Sequence, residues 1–208
     1  MLLANDETVT NAAKHLAKHD PVLGAVIERV GICPLRPHKN YYQELVQSII
    51  GQQLSLKSAA AIEARFVALF SGEFPSPEAI LAMDEDSLRS VGFSRAKAAY
   101  VHDLARHVKD GKILLDTFDR LSNAEVINEL TAVKGIGEWT VHMFLIFCMG
   151  RMDVLPVGDL GIKNGVRELY NFETLPTAKD IAAIAQKNNW HPYESIASWY
   201  VWQSLTLS

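Results

Sequence analysis

Apolar residues recur at intervals of three and four positions along almost the whole sequence, and alternating runs of β-branched residues are missing. The first spacing is that of a helix with one buried face, whereas alternation is typical of a half-buried strand. Residues 41–51, for example, place Leu45, Val46, Ile49 and Ile50 on one helical face. Almost half of the 208 residues are apolar, enough for one compact unit or two small lobes. The sequence therefore predicts an all-α protein.

Composition excludes several classes of protein. No apolar run reaches the ~18 residues that a membrane helix needs, and the N-terminus lacks the pattern of a secretory signal. The two cysteines, Cys33 and Cys148, form no disulfide or metal-ligand framework, so we expect an intracellular, reducing compartment and no iron–sulfur cluster. The formal net charge of −4 argues against DNA binding driven by bulk charge. Nucleic-acid binding would then depend on local features such as backbone amides.

Two short stretches carry features that core packing does not require. The segment 134–137 reads Lys-Gly-Ile-Gly, and its two glycines permit a tight turn that leaves the first amides of the next helix uncovered. Such amides attract anions, phosphate among them. Further along, Asp159 follows Pro156-Val157-Gly158 where a helix can begin. Its carboxylate is either a helix cap or a fixed negative charge in a cleft, and the sequence leaves both readings open.

These stretches resemble the helix-hairpin-helix and Gly/Pro-Asp element of the DNA base-excision glycosylases. More narrowly, they are similar to the 3-methyladenine (alkylation) DNA glycosylase II branch. The hairpin alone is a weak signal, but four further segments match in the same order, and together they cover most of the chain. The matching segments are residues 45–55, 133–140, 153–161, 190–193 and 195–202.

The resemblance implies two helical lobes with the active site in the cleft between them. One lobe would join residues 1–40 to residues 165–208. The other would span residues 41–164 and carry both the helix-hairpin-helix, at about residues 122–149, and the loop of the catalytic aspartate.

The resemblance also implies a DNA repair hydrolase that flips alkylated purines, of the 3-methyladenine and 7-methylguanine type, out of duplex DNA. The glycosidic bond would be hydrolysed and an abasic site left behind. Trp139 stands where strand-cutting relatives carry a lysine nucleophile, so we expect a monofunctional enzyme without lyase activity. The expected partner is double-stranded DNA containing alkylated bases. We expect a monomer without membrane contact, in the cytoplasm at the bacterial nucleoid or in a nucleus.

Residue by residue, the resemblance assigns one catalytic group, a base pocket and two DNA-contacting loops. Asp159 would stabilise the sugar cation or activate the attacking water. Aromatic faces would stack on the flipped base, one turn would fill the gap that the base leaves, and the hairpin would bind phosphate. The pocket residues are Trp139, Trp202 and Phe144, the gap-filling residues are Gln53 and Leu54, and the phosphate-binding residues are Lys134, Gly135, Ile136 and Gly137. No cofactor or metal ligand is implied, and a monovalent cation at the hairpin is left open.

Three alternatives stay open at this level. The tryptophans can be ordinary core residues, and the hairpin can belong to a non-catalytic module that binds DNA structures. The enzyme can also act on another base, such as 8-oxoguanine, uracil or hypoxanthine. Glu194 stands where many relatives have arginine, and His142 where an acidic or amide residue is common, so the sequence does not decide pocket selectivity.

Overall fold

The computed structural model describes residues 2–207 and confirms the all-α prediction. Across these residues the regular structure is helical, apart from one isolated antiparallel bridge between Leu3 and Arg151. None of the helices in the described range is both long and apolar enough to cross a bilayer.

The chain folds into two compact units. The discontinuous unit contains the N-terminal segment up to Lys39 together with the chain from Leu145 onward, and the central unit is Asn40–Phe144. The helices of the discontinuous unit are α1 (Asp6–His19), α2 (Pro21–Val30), α10 (Leu160–Leu169), α11 (Ala178–Lys187) and α12 (Glu194–Ser204). Those of the central unit are α3 (Tyr41–Gly51), α4 (Leu56–Ala68), α5 (Pro77–Leu81), α6 (Glu85–Ser90), α7 (Arg95–Lys109), a 3-10 helix (Leu115–Arg120), α8 (Asn123–Thr131) and α9 (Glu138–Met143).

Side-chain caps start several of the helices. Each capping side chain accepts a hydrogen bond from the backbone amide three residues further on, which satisfies an amide that has no partner inside the helix. The residues that do so are Ser55, Ser94, Ser122, Asp159 and Thr177. Two of these caps, at Ser122 and Thr177, are complete capping boxes.

The second boundary between the units differs from the predicted one. It lies between residues 144 and 145 instead of 164 and 165, so the loop of Asp159 belongs to the discontinuous unit. The reason is a set of hydrogen bonds made by Ser195, which is fully buried in α12. Its hydroxyl donates to the Arg151 carbonyl over 2.6 Å and accepts from the Val154 amide over 3.1 Å. The segment before Asp159 is therefore bound to the C-terminal helix.

A buried carboxylate joins the N-terminal helices to the C-terminal part of the discontinuous unit. Asp20 is fully buried and caps α2, where its Oδ1 accepts from the Val22 and Leu23 amides. Its Oδ2 accepts from the Tyr170 hydroxyl over 2.5 Å and from the Trp190 indole over 2.8 Å. Burial and the neighbouring carboxylate raise the pKa of Tyr170, so the phenol keeps the proton that it donates. One carboxyl group thus satisfies four donors.

We expect Asp20→Ala to lower the free energy of unfolding by about 3 kcal/mol, because it leaves buried donors without an acceptor. Asp84→Ala is the matched control, since Asp84 caps α6 with a carboxylate at an exposed position, where water can replace it. Urea titration followed by far-UV circular dichroism measures both changes. Equal losses in the two variants would contradict the role assigned to Asp20 beyond that of a cap.

Candidate active site and nucleic-acid interface

Asp159 is held in one orientation at the start of α10. Its own amide donates to the Pro156 carbonyl over 2.9 Å, which closes the turn in front of the helix. Its carboxylate Oδ1 accepts from the Ile162 amide over 2.7 Å and from the Trp202 indole over 2.8 Å. Only 9% of the residue is exposed. A helix N-terminus and two donors therefore fix a carboxylate that is almost removed from solvent.

Two glycines allow α10 to approach α12 closely enough for this contact. A Cβ on Gly161 would lie 2.9 Å from Cδ1 of Trp202 and 3.0 Å from Oδ1 of Asp159. One turn further along α10, a Cβ on Gly165 would lie 2.5 Å from Cγ1 and 2.7 Å from the carbonyl of Val201. Contacts this short do not occur in close-packed proteins. The Asp159–Trp202 hydrogen bond therefore depends on the absence of side chains at both positions.

Phe147 extends the aromatic surface beside Asp159, and the sequence did not single it out. Its ring packs against that of Trp202 at a centroid distance of 5.8 Å, and 37% of the residue is exposed. It also lines a cavity of about 250 Å³, together with Pro34, Leu35, Arg36 and Trp199. Phe147 lies in a π-helix, Phe144–Cys148, where the hydrogen bonds skip one residue more than in an α-helix. Helical periodicity therefore assigns the wrong face to this residue.

The structure places Phe144, a predicted pocket residue, in the core of the central unit instead of at a surface. Only 2% of it is exposed. Its ring packs edge-on against Tyr41 at 5.5 Å and Phe118 at 6.2 Å. These are the contacts of a core residue.

Trp139 lies in the first turn of α9, and 55% of it is exposed. It belongs to the central unit, whereas Asp159 and Trp202 belong to the discontinuous unit. The structure thus brings Trp202 to Asp159, and a pocket that combines them with Trp139 stays a prediction. His142 follows on the same helix, where burial lowers its pKa and Glu138, 3.7 Å away, partly opposes this shift. Burial therefore favours the neutral form of His142.

The predicted hairpin is present between α8 and α9. Gly135 adopts φ +82°, and a Cβ there would lie 2.1 Å from the Tyr100 ring, so no other residue fits this position. The Lys134 amide donates to Oδ2 of Asp103 over 2.9 Å. Gly137 is the N-cap of α9, and no side chain among residues 2–207 caps that helix. The first turn of α9 therefore presents amides suited to an anion.

One hairpin amide differs from its predicted use. The amide of Ile136 donates to the Val133 carbonyl over 3.1 Å, and the Ile136 side chain is buried. This residue shapes the hairpin from inside, while Lys134, Gly135 and Gly137 are exposed.

The turn between α3 and α4 presents the residues that were predicted to fill the gap in DNA. Gln53 is exposed and adopts φ +57°, a left-handed conformation that is uncommon outside glycine and that clusters at functional sites. Leu54 is 38% exposed and Leu56, at the start of α4, is 92% exposed. A leucine exposed to this degree has no role in the core.

The fold and the site define an all-α helix-hairpin-helix protein with a fixed carboxylate. Residues 46–190 match the family described as HhH-GPD superfamily base excision DNA repair protein. The chain belongs to this superfamily.

Similar proteins cover nearly the whole chain. DNA-3-methyladenine glycosylase 1 of Schizosaccharomyces pombe is 36% identical over 97% of this chain and 90% of that protein. A solved structure of the S. pombe 3-methyladenine DNA glycosylase in complex with abasic DNA superposes with a TM-score of 0.81, at 36% identity, over 95% of this chain and 98% of that one. The DNA-3-methyladenine glycosidase of Bacillus halodurans superposes with a TM-score of 0.82, also at 36% identity, over 93% of this chain and 88% of that one.

We expect Gly161→Ala to break the Asp159–Trp202 hydrogen bond, because its Cβ would displace the indole. The change in the near-UV circular dichroism of tryptophan reports this displacement, and overpacking lowers the free energy of unfolding by about 1–3 kcal/mol. Gly158→Ala is the matched control, since a Cβ there meets nothing within 4 Å. An unchanged tryptophan signal in Gly161→Ala would contradict the contact.

Proposed function

We propose that the protein is a DNA glycosylase that flips alkylated purines out of duplex DNA and hydrolyses their glycosidic bond, leaving an abasic site. The observation that carries the proposal is the carboxylate of Asp159, held by the start of α10 and by the Trp202 indole. Its support is membership of a base-excision superfamily, together with similar proteins that are named 3-methyladenine glycosylases.

Asp159 supplies the electrostatic part of the reaction. As the bond between the base and C1′ breaks, positive charge develops on the sugar, and a nearby carboxylate with little access to water stabilises it. The bonding electrons leave with the base, and the oxygen of a water molecule then bonds to C1′ and loses a proton. A purine alkylated at N3 or N7 is already cationic, so it departs without a general acid. One carboxylate is therefore sufficient.

The aromatic residues suit a cationic base, and the position after the hairpin lacks an amine nucleophile. Trp139 occupies the position after the hairpin where a lysine would form a Schiff base, so water is the attacking group. Its exposed indole can stack on a flipped cationic base, an attraction worth about 0.5–2 kcal/mol per aromatic face. Phe147 and Trp202 supply further aromatic surface next to Asp159.

DNA is bound by local features, because the chain carries a net charge of −4. The exposed backbone at Gly135 and Gly137 and the Lys134 side chain contact phosphate, and the turn at Gln53 and Leu54 enters the duplex. The protein acts on alkylated DNA as a monomer.

A monovalent cation at the hairpin stays a prediction. Such an ion takes carbonyl oxygens as ligands. Two hairpin carbonyls, those of Val133 and Gly135, already accept hydrogen bonds from the Ile136 amide and the Gln52 side chain. No step of the reaction described above depends on the ion.

We expect Asp159→Asn to lower the rate of base release at least about 10²-fold while the protein stays folded. Asparagine is a good N-cap and its carbonyl can accept the same two hydrogen bonds, so the variant removes the charge and little else. Release of methylated bases from methylated duplex DNA measures the rate, and strands should break only after mild alkali. Glu173→Gln, which removes an exposed carboxylate from the same unit, should keep the wild-type rate.

Three results would contradict the proposal. Wild-type protein that binds abasic DNA but frees no base would be a non-catalytic binding module. Strand breaks before alkali would require a lyase nucleophile. Release of 8-oxoguanine or hypoxanthine in preference to methylated purines would change the substrate.

A further inference from the structure

One helix supports both of the loops that the proposed function assigns to DNA. On α7, Lys97, Tyr100 and Asp103 are spaced by three residues, which places them along one side of the helix. Asp103 binds the Lys134 amide, and Tyr100 packs against Gly135.

Lys97 holds the other loop. Its ammonium group donates to the Ile50 carbonyl over 2.8 Å and to the Gln52 carbonyl over 2.6 Å, at the end of α3. A cation in this position satisfies carbonyls that have no partner inside the helix, and it fixes the point at which the turn begins. The left-handed Gln53 follows directly.

Gln52 then joins the two loops to each other. Its side-chain amide donates to the Gly135 carbonyl over 2.8 Å. Gln52 is the residue before Gln53, and Gly135 is the centre of the hairpin, so a single hydrogen bond spans from the gap-filling turn to the phosphate-binding hairpin. All of these residues lie in the central unit.

We propose that Gln52 is a positioning residue that, together with Lys97, makes the turn and the hairpin act as one rigid DNA-contacting surface. This inference rests on the proposed function. The hairpin bound to phosphate sets the register of the protein on the duplex. By binding the hairpin, Gln52 fixes the position of Gln53, the residue at the tip of the turn, relative to the duplex. Gln53 then meets the base stack at the point where the target nucleotide leaves it.

The prediction concerns base flipping and not binding or stability. A paired base costs more to flip than an unpaired one, so a correctly placed tip matters more for a paired lesion. A variant that loosens the turn should therefore slow excision of a paired lesion and spare excision of an unpaired one. A residue with a merely structural role would affect both substrates alike.

The experiment uses two oligonucleotide duplexes that carry one 7-methylguanine, opposite cytosine in the first and opposite a stable abasic analogue in the second. Single-turnover rates are measured for the wild-type chain, Gln52→Met and Lys97→Met. Methionine keeps the length of the glutamine side chain, lacks only the terminal ammonium position of lysine, and removes the donors of both. Lys109→Met is the matched control, because it removes an exposed ammonium from the last turn of the same helix.

We expect Gln52→Met and Lys97→Met to lose about tenfold on the paired lesion and less than about twofold on the unpaired one, with Lys109→Met like the wild type on both. Equal rates for Gln52→Met and the wild type, or an equal loss on both duplexes, would overturn the inference. A wild type that frees no base from either duplex would overturn the proposed function itself, and the inference with it.

Discussion

The close approach of α10 to α12 is the constraint on which the candidate active site depends. Gly161 and Gly165 lie one turn apart and leave room for Trp202 and Val201, respectively. Because the helices touch there, the carboxylate at the start of α10 meets an indole donor from α12. Asp159 is thus oriented by the packing of two regular elements. A site built on such elements keeps its geometry better than one carried by a loop.

In the central unit, the segments that we propose to contact DNA are turns without regular hydrogen bonding. These turns are held by α7, a rigid helix whose side chains form hydrogen bonds with the main chain of both turns. Main-chain groups in a loop need partners when they leave solvent, and here Lys97 and Asp103 supply them with charged side chains. The same contacts that satisfy the backbone also determine where the loops point.

Much of this arrangement could be predicted from the sequence, because it depends on local rules. Helical spacing, the cap at Ser122 and the Lys-Gly-Ile-Gly turn each depend only on residues that are close together in the sequence. The remainder depends on contacts between distant segments. Phe144 is a core residue and Phe147 a surface one because both lie in the π-helix Phe144–Cys148, which does not follow α-helical spacing, and apolar residues on all sides do not reveal this change. The second boundary was missed because a single serine in α12 binds the segment before Asp159.

The four donors gathered by Asp20 have a consequence for the order of assembly. That carboxylate lies near the start of the chain, and two of its partners, Tyr170 and Trp190, lie near the end. The central unit is one continuous segment, so it can fold on the ribosome while the rest is still being made. The discontinuous unit must wait for its last helices. The hairpin and its turn can therefore form before Asp159 acquires its indole partner, so that a nascent chain can build the surface that we propose for DNA before the carboxylate that we propose for catalysis is in place.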